Sequence, residues 1–160
     1  MIIDLEFRTE SLAHAPSTDE ARRATDAALA LVYRIQDALK GRRGAAYWAD
    51  VDGTADGILT GAVNVARNVN THSLVIESGH SEVHPSRNVF PGADLTLGPT
   101  FRWADYGAIA GALVAPRIGA RDRRADYREM LPQRAVVPTL RTVGSFYRAQ
   151  LTAATPDPDE

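Results

Sequence analysis

Residues 17–41 read STDEARRATDAALALVYRIQDALKG and form the most decisive stretch of the chain. Ser17 and Glu20 stand at the spacing of a capping box, in which each side chain binds a backbone amide at the start of a helix. Lys40 and Gly41 are typical of a helix end, because a cation suits the carboxyl terminus and glycine stops the helix. Between them, apolar residues recur at helical spacing: Ala24, Ala28, Leu31, Val32, Ile35 and Leu39. The pattern predicts a helix from about 18 to 40.

Four other segments favour strands, because they alternate or are rich in β-branched and aromatic residues. They are residues 2–8, 47–51, 58–70 and 71–77. In the first of them Ile3, Leu5 and Phe7 share one side of the alternation, which predicts a half-buried strand. The last two segments have the layout of a hairpin that turns between Asn68 and Thr71.

A second long helix is predicted near the end of the chain. Leu140, Val143, Tyr147 and Leu151 recur at helical spacing, and Pro138 suits a first helical turn. Residues 126–131 indicate one or two further helical turns.

These elements predict an α+β fold, in which a small antiparallel sheet packs against one long N-terminal helix and a C-terminal helix. We expect a single domain over residues 1–154, with long extended loops. Residues 79–100 contain prolines and glycines without periodicity, and residues 117–134 are rich in arginine, so both are predicted to be loop arms. Residues 155–160 are acidic and predicted to be a flexible tail.

Composition limits the function classes. The chain of 160 residues has no cysteine, which excludes disulfides, thiolate metal sites and a cysteine nucleophile. No apolar run approaches the roughly 20 residues of a membrane span, so no membrane association is expected. The net charge of −2 is unevenly distributed, with six acidic residues in 1–26 and six arginines in 117–134. Such polarity suits contacts between neighbouring copies of one protein.

Motifs of catalysis are weak. The sequence has no glycine-rich phosphate loop followed by Lys-Ser/Thr and no Gly-x-Ser-x-Gly nucleophile elbow. We therefore expect no enzyme activity and no cofactor.

Short motifs give a resemblance to a known family. Thr60-Gly61, the segment Val75-Ile76-Glu77-Ser78-Gly79-His80, and Val137-Pro138-Thr139-Leu140 occur in this order. With these motifs in this order, the chain resembles the tail-completion and head–tail joining (neck) proteins of long-tailed bacteriophages and prophages.

The resemblance implies a structural virion protein that forms a homo-oligomeric ring, with six copies as the expected symmetry. Its partners would be other neck or tail proteins, and it would be assembled into the virion in the bacterial host cytoplasm. The implied subunit-interface residues are Glu77, Gly79 and His80 at a strand end, and Arg121, Arg123 and Arg124 on the basic arm.

Two alternatives stay open. His72, His80 and His84 could bind a metal, which would make the chain a metal-binding domain or a metal-dependent enzyme. The arginines of residues 117–134 could contact DNA phosphates, as in a small DNA-associated protein. Interleaved acidic residues argue against specific nucleic-acid binding.

Overall fold

A computed structural model describes residues 1–67, 75–80, 99–111, 117–118 and 121–153, with side chains for 1–67, 100–111 and 123–153. These residues form seven helices: α1 (Ile2–Ala13), α2 (Thr18–Arg43), α3 (Ala45–Gly53), α4 (Ala55–Ala66), α5 (Tyr106–Ile109), α6 (Arg123–Met130) and α7 (Val136–Ala153). Four short strands accompany them: β1 (Val75–His80), β2 (Pro99–Trp103), β3 (Arg117–Ile118) and β4 (Arg121–Asp122).

The predicted α+β class is wrong, because the described part of the chain is mostly helical. Its strands form only two-stranded antiparallel ribbons, β1 with β2 and β3 with β4. Neither ribbon is a sheet layer of the predicted kind. The core lies instead where helices pack on one another, with α2 in contact with α1, α3, α4 and α7.

Both long helices were predicted, but the end of the first was placed too early, because α2 continues through Gly41 to Arg43. Helix α2 begins after Ser17, whose hydroxyl accepts a hydrogen bond of 3.3 Å from the amide of Glu20. It ends at Gly44, whose φ of 54° is a left-handed conformation that glycine adopts without strain. Helix α7 contains Pro138 in its first turn, and Leu140, Val143 and Tyr147 are buried along one face.

The first predicted strand is wrong, since residues 2–8 belong to helix α1. The buried residues of α1 are Leu5, Thr9 and Leu12, which recur at helical spacing. Ile3 and Phe7 also stand four residues apart, so the same alternation that resembles a strand places them together on another face of the helix. An alternation of apolar and polar residues over only seven positions fits a strand and a helix equally well.

The predicted strands at 47–51 and 58–70 are also wrong, because these residues lie largely in α3 and α4. Helix α4 is the central helix of the fold, and nine of its residues are buried. Its β-branched residues Ile58, Thr60, Val63 and Val65 favour a strand by composition, but packing on all but its first turn holds them in a helix. Thr54 caps it by accepting a 3.0 Å hydrogen bond from the amide of Gly57.

The β1–β2 ribbon connects to the helical body through Trp103. Residues 75–77 of the predicted strand lie in β1, which pairs Val75 with Trp103 and Glu77 with Phe101, and residues 71–74 lie outside the described residues. Trp103 is buried, and its amide donates to the carbonyl of Arg134, 3.0 Å away, just before α7. The predicted 68–71 turn, most of the 79–100 arm and the 155–160 tail lie outside the described residues.

Within the described ranges, none of the helices combines the length and apolar character that crossing a bilayer requires.

Candidate functional site

The residues predicted at the strand end lie together on β1. Glu77 pairs with Phe101 of β2 and His80 pairs with Pro99, and the register is irregular between these two pairs. Gly79 lies within that irregular stretch. The structure thus brings the three residues to one ribbon by backbone placement, and their role in a subunit interface stays a prediction.

The three predicted arginines have different environments. Arg121 belongs to β4 and pairs with Ile118 of β3. Arg124 is partly buried on α6. Arg123 is only 1% exposed, which contradicts its predicted place on an exposed basic arm. The second half of that arm is α6, which packs against α4 with Tyr127 buried.

Arg123 is held by two carboxylates. Its guanidinium donates to Asp126 at 3.0 Å and to Asp52 at 2.5 Å, which joins α6 to α3. The guanidinium lies against Gly61 of α4, where a Cβ atom would stand 3.0 Å from Arg123 Nη1. A buried charge needs such compensation, so Arg123 fixes three helices relative to one another and does not reach a neighbouring subunit.

The Arg123–Asp126 spacing of three residues is visible in the sequence as a helical ion pair. The contact with Asp52 spans 71 positions along the chain, and no local pattern signals it. Burial of Arg123 could therefore not be predicted from the sequence around it.

A second polar group lies in the core between α2, α4 and α7. The hydroxyl of Tyr147 donates a hydrogen bond to the carbonyl of Val32 and accepts one from the side-chain amide of Asn64, and each bond is 3.1 Å long. Burial raises the pKa of Tyr147 and of Tyr47 well above the ordinary range. Both side chains are fully buried, and the Tyr147 hydroxyl joins α2, α4 and α7 through its two hydrogen bonds. The Tyr47 hydroxyl has no hydrogen-bond partner among the described residues.

The alternative histidine site falls largely outside the described residues. His72 and His84 lie there, and of His80 only the backbone is described. Among the side chains that the structure describes, no group of three His, Asp or Glu residues is placed to hold a metal ion.

Helix α1 presents an apolar surface that the sequence analysis assigned to a strand. Ile3 is 77% exposed and Phe7 64% exposed, and we call these two side chains the α1 patch. The guanidinium of Arg8 lies over the ring of Phe7, 5.7 Å from its centre. The four-residue spacing of Ile3 and Phe7 indicates one face of a helix. This signal was overlooked because the segment was interpreted as a strand.

An open groove of about 370 Å³ lies beside the α1 patch, between α1 and α7. Its lining includes buried Leu5, Thr9, Leu140 and Gly144 and exposed Ser145, and we call it the α1–α7 groove. Ion pairs between the two helices form its rim. Arg141 donates to both carboxylate oxygens of Glu10 at 2.8 and 3.1 Å, and Arg148 pairs with Glu6.

Ile3 and Phe7 are therefore apolar side chains that stay in water on α1. The apolar residues under the groove, Leu5 and Leu140, are fully buried, and two ion pairs bridge the helices above them. No protein-family model, curated protein or solved structure matches this chain.

Proposed function

We propose that this chain is a structural assembly protein whose copies form a closed homo-oligomeric ring. The α1 patch carries the proposal, because it leaves Ile3 and Phe7 in water on a helix whose other face is well packed. Removing such side chains from water is favourable, and contact with another protein surface achieves it.

A ring requires that the α1 patch of one copy contacts a different surface of the next copy. When a surface of one copy binds a different surface of the next, the contact repeats and closes if the rotation between copies allows it. The implied sixfold symmetry would require a rotation of about 60° per copy.

The place of the ring in a phage particle rests on the sequence resemblance. One of its three motifs no longer supports it, because Thr60-Gly61 lies inside helix α4. The resemblance is now carried by Glu77–His80 in β1 and by Val137–Leu140 in the first turn of α7. On this basis we assign the ring to the head–tail junction or tail end of a virion, with neck or tail proteins as neighbours.

Light scattering on size-exclusion fractions tests the proposal over a range of protein concentration. We expect masses that rise from 17.3 kDa to one larger species at an integer multiple, and electron microscopy of that species should show rings. A monomer at every concentration would contradict it. Stoichiometric zinc in that monomer would favour the histidine site, and salt-dependent binding of duplex DNA would favour the DNA-associated alternative.

A further inference from the structure

We infer that a buried water molecule lies between α3, α4, α6 and α7, where it binds the Tyr47 hydroxyl, Asn64 Oδ1 and Arg123 Nε. These three polar atoms are shielded from solvent and have no hydrogen-bond partner among the described residues. Each of the three side chains is at most 3% exposed. A buried polar atom without a partner is costly, and ordered water is a common partner for such atoms. This site lies inside each subunit, so it does not depend on the proposed ring.

The Tyr147 hydroxyl brings Asn64 and Tyr47 to the same part of the core. The side-chain amide of Asn64 donates a 3.1 Å hydrogen bond to Tyr147. Burial raises the pKa of Tyr47, and the neighbouring Tyr147 hydroxyl and Arg123 guanidinium act in the opposite direction. The Tyr47 hydroxyl therefore lies beside the same polar group that Asn64 binds.

Arg123 reaches this part of the core from α6. Its Cζ atom lies 5.9 Å from the centre of the Trp48 ring, and that ring lies 5.2 Å from the ring of Tyr47. The same guanidinium lies against Gly61, which precedes Asn64 by about one turn of α4. The side chains of Tyr47, Asn64 and Arg123 thus surround one junction of four helices.

The three atoms offer the donors and acceptors that a water molecule needs. Asn64 uses its amide hydrogens on the carbonyl of Thr60 and on Tyr147, so its Oδ1 requires a donor. Arg123 binds two carboxylates through its Nη atoms, which leaves Nε–H as a donor. The Tyr47 hydroxyl can donate or accept. One water can therefore make three hydrogen bonds, the usual number for a buried water.

Water suits these atoms better than an ion does. The positive charge of Arg123 repels a cation. An anion is repelled by the carboxylates of Asp52 and Asp126 beside Arg123, and by the carbonyl oxygen of Asn64. A small neutral molecule that both donates and accepts hydrogen bonds avoids both penalties.

Nuclear Overhauser measurements between water and the wild-type protein test the site directly. The Nε–H of Arg123 should show a rotating-frame Overhauser effect with water, whose sign is opposite to that of proton exchange. In the laboratory frame the effect should have the sign of a water that tumbles with the protein. The Nε–H of Arg141 is the control, because this side chain is 56% exposed and should show exchange instead.

The substitution Tyr47→Phe tests the site by the direction of a shift. Removing a buried hydroxyl that has no partner would raise the urea midpoint of unfolding. Removing one that is bound to water should lower the midpoint, because a hydrogen bond is lost. Tyr127→Phe is the matched control, since it removes a 3.0 Å hydrogen bond to the carbonyl of Ala104 and should lower the midpoint too.

Two outcomes would overturn the inference. One is a urea midpoint of Tyr47→Phe above that of the wild type. The other is the absence of an Overhauser effect between water and the Arg123 Nε–H. The second measurement uses the wild-type chain, so it stands even where a variant folds poorly. Neither measurement reports self-association, so failure here leaves the proposed ring unaffected.

Discussion

At Gly61, the addition of a single methyl group should have a large effect on the free energy of unfolding. It leaves room for the guanidinium of Arg123, and a Cβ atom there would lie 3.2 Å from Arg123 Cζ. Two carboxylates hold that guanidinium, so it cannot move aside freely. We expect Gly61→Ala to lower the free energy of unfolding by about 1–3 kcal/mol, as overpacking does, although alanine favours a helix.

Gly41 provides the matched control for that measurement. It lies in α2 with nothing within 4 Å of a Cβ atom, so Gly41→Ala should raise the free energy of unfolding by about 0.5–1 kcal/mol. Urea denaturation of both variants gives the comparison. Equal shifts of the same sign would show that Arg123 does not depend on the space at Gly61.

The two ion pairs of Arg123 and Arg141 should differ strongly in their effect on stability. Asp126→Asn removes the buried carboxylate beside Arg123 but leaves its pair with Asp52, and should cost about 1.5–3 kcal/mol of unfolding free energy. Glu10→Gln removes an exposed carboxylate from Arg141 and should cost less than about 1 kcal/mol. Similar losses for the two variants, measured by the same denaturant titration, would contradict the buried environment of Arg123.

At the scale of elements, α3 and α4 cross at Gly57. A Cβ atom there would lie 2.4 Å from the carbonyl oxygen of Asp50 and 2.7 Å from the backbone of Val51. Backbone atoms cannot give way without moving a helix, so Gly57→Ala should destabilise the fold by about 3 kcal/mol or more. Thermal unfolding measures the effect. A variant as stable as Gly41→Ala would show that the helices do not approach so closely.

The sequence predicted those helices for which a capping residue and an apolar stripe both indicate a helix over the same residues. Helix α2 has Ser17 before it and a stripe that reaches Leu39, and α7 has Pro138 and a stripe that reaches Tyr147. The prediction failed for α1, where Ile3 and Phe7 stay exposed, and for α4, whose β-branched residues favour a strand by composition. Tyr47 favours a strand by composition, but it is buried in helix α3, where tertiary packing decides.

The candidate site was predicted less well than the helices. Its patch was present in the sequence as Ile3 and Phe7, but recognising it as a surface required knowing that α1 is a helix. The groove depends on Leu5 meeting Gly144 across the fold, and no local pattern contains that contact. Conversely, the sequence shows the basic segment 117–134, but only the structure shows that Arg123 of that segment is buried.

For the whole molecule, buried tyrosines predict an alkaline limit to stability. Burial raises the pKa of Tyr47, Tyr127 and Tyr147 above the value near 10 of an exposed tyrosine. Above about pH 10 the unfolded chain therefore loses these protons while the folded chain keeps them. Each tyrosine then lowers the free energy of unfolding by about 1.4 kcal/mol per pH unit.

Denaturation between pH 7 and about 12 tests this dependence, which begins near the ordinary tyrosine pKa. Above pH 10, the free energy of unfolding of Tyr47→Phe should fall less steeply with pH than that of the wild type, by the contribution of one tyrosine. Below about pH 9, the substitution should not change how the free energy of unfolding depends on pH. A slope that is the same in the wild type and the variant would mean that Tyr47 ionises equally in the folded and unfolded chain.

The groove also has a consequence for biosynthesis. Its two walls are far apart along the chain, since Glu10 and Arg141 are separated by 131 positions. A ribosome therefore releases α1 long before the helix against which it packs, α7, has been made. Until then the buried face of α1 lacks part of its packing and both of its ion pairs to α7. Ribosome-bound chains that end before α7 should accordingly leave α1 open to protease, whereas released full chains should protect it.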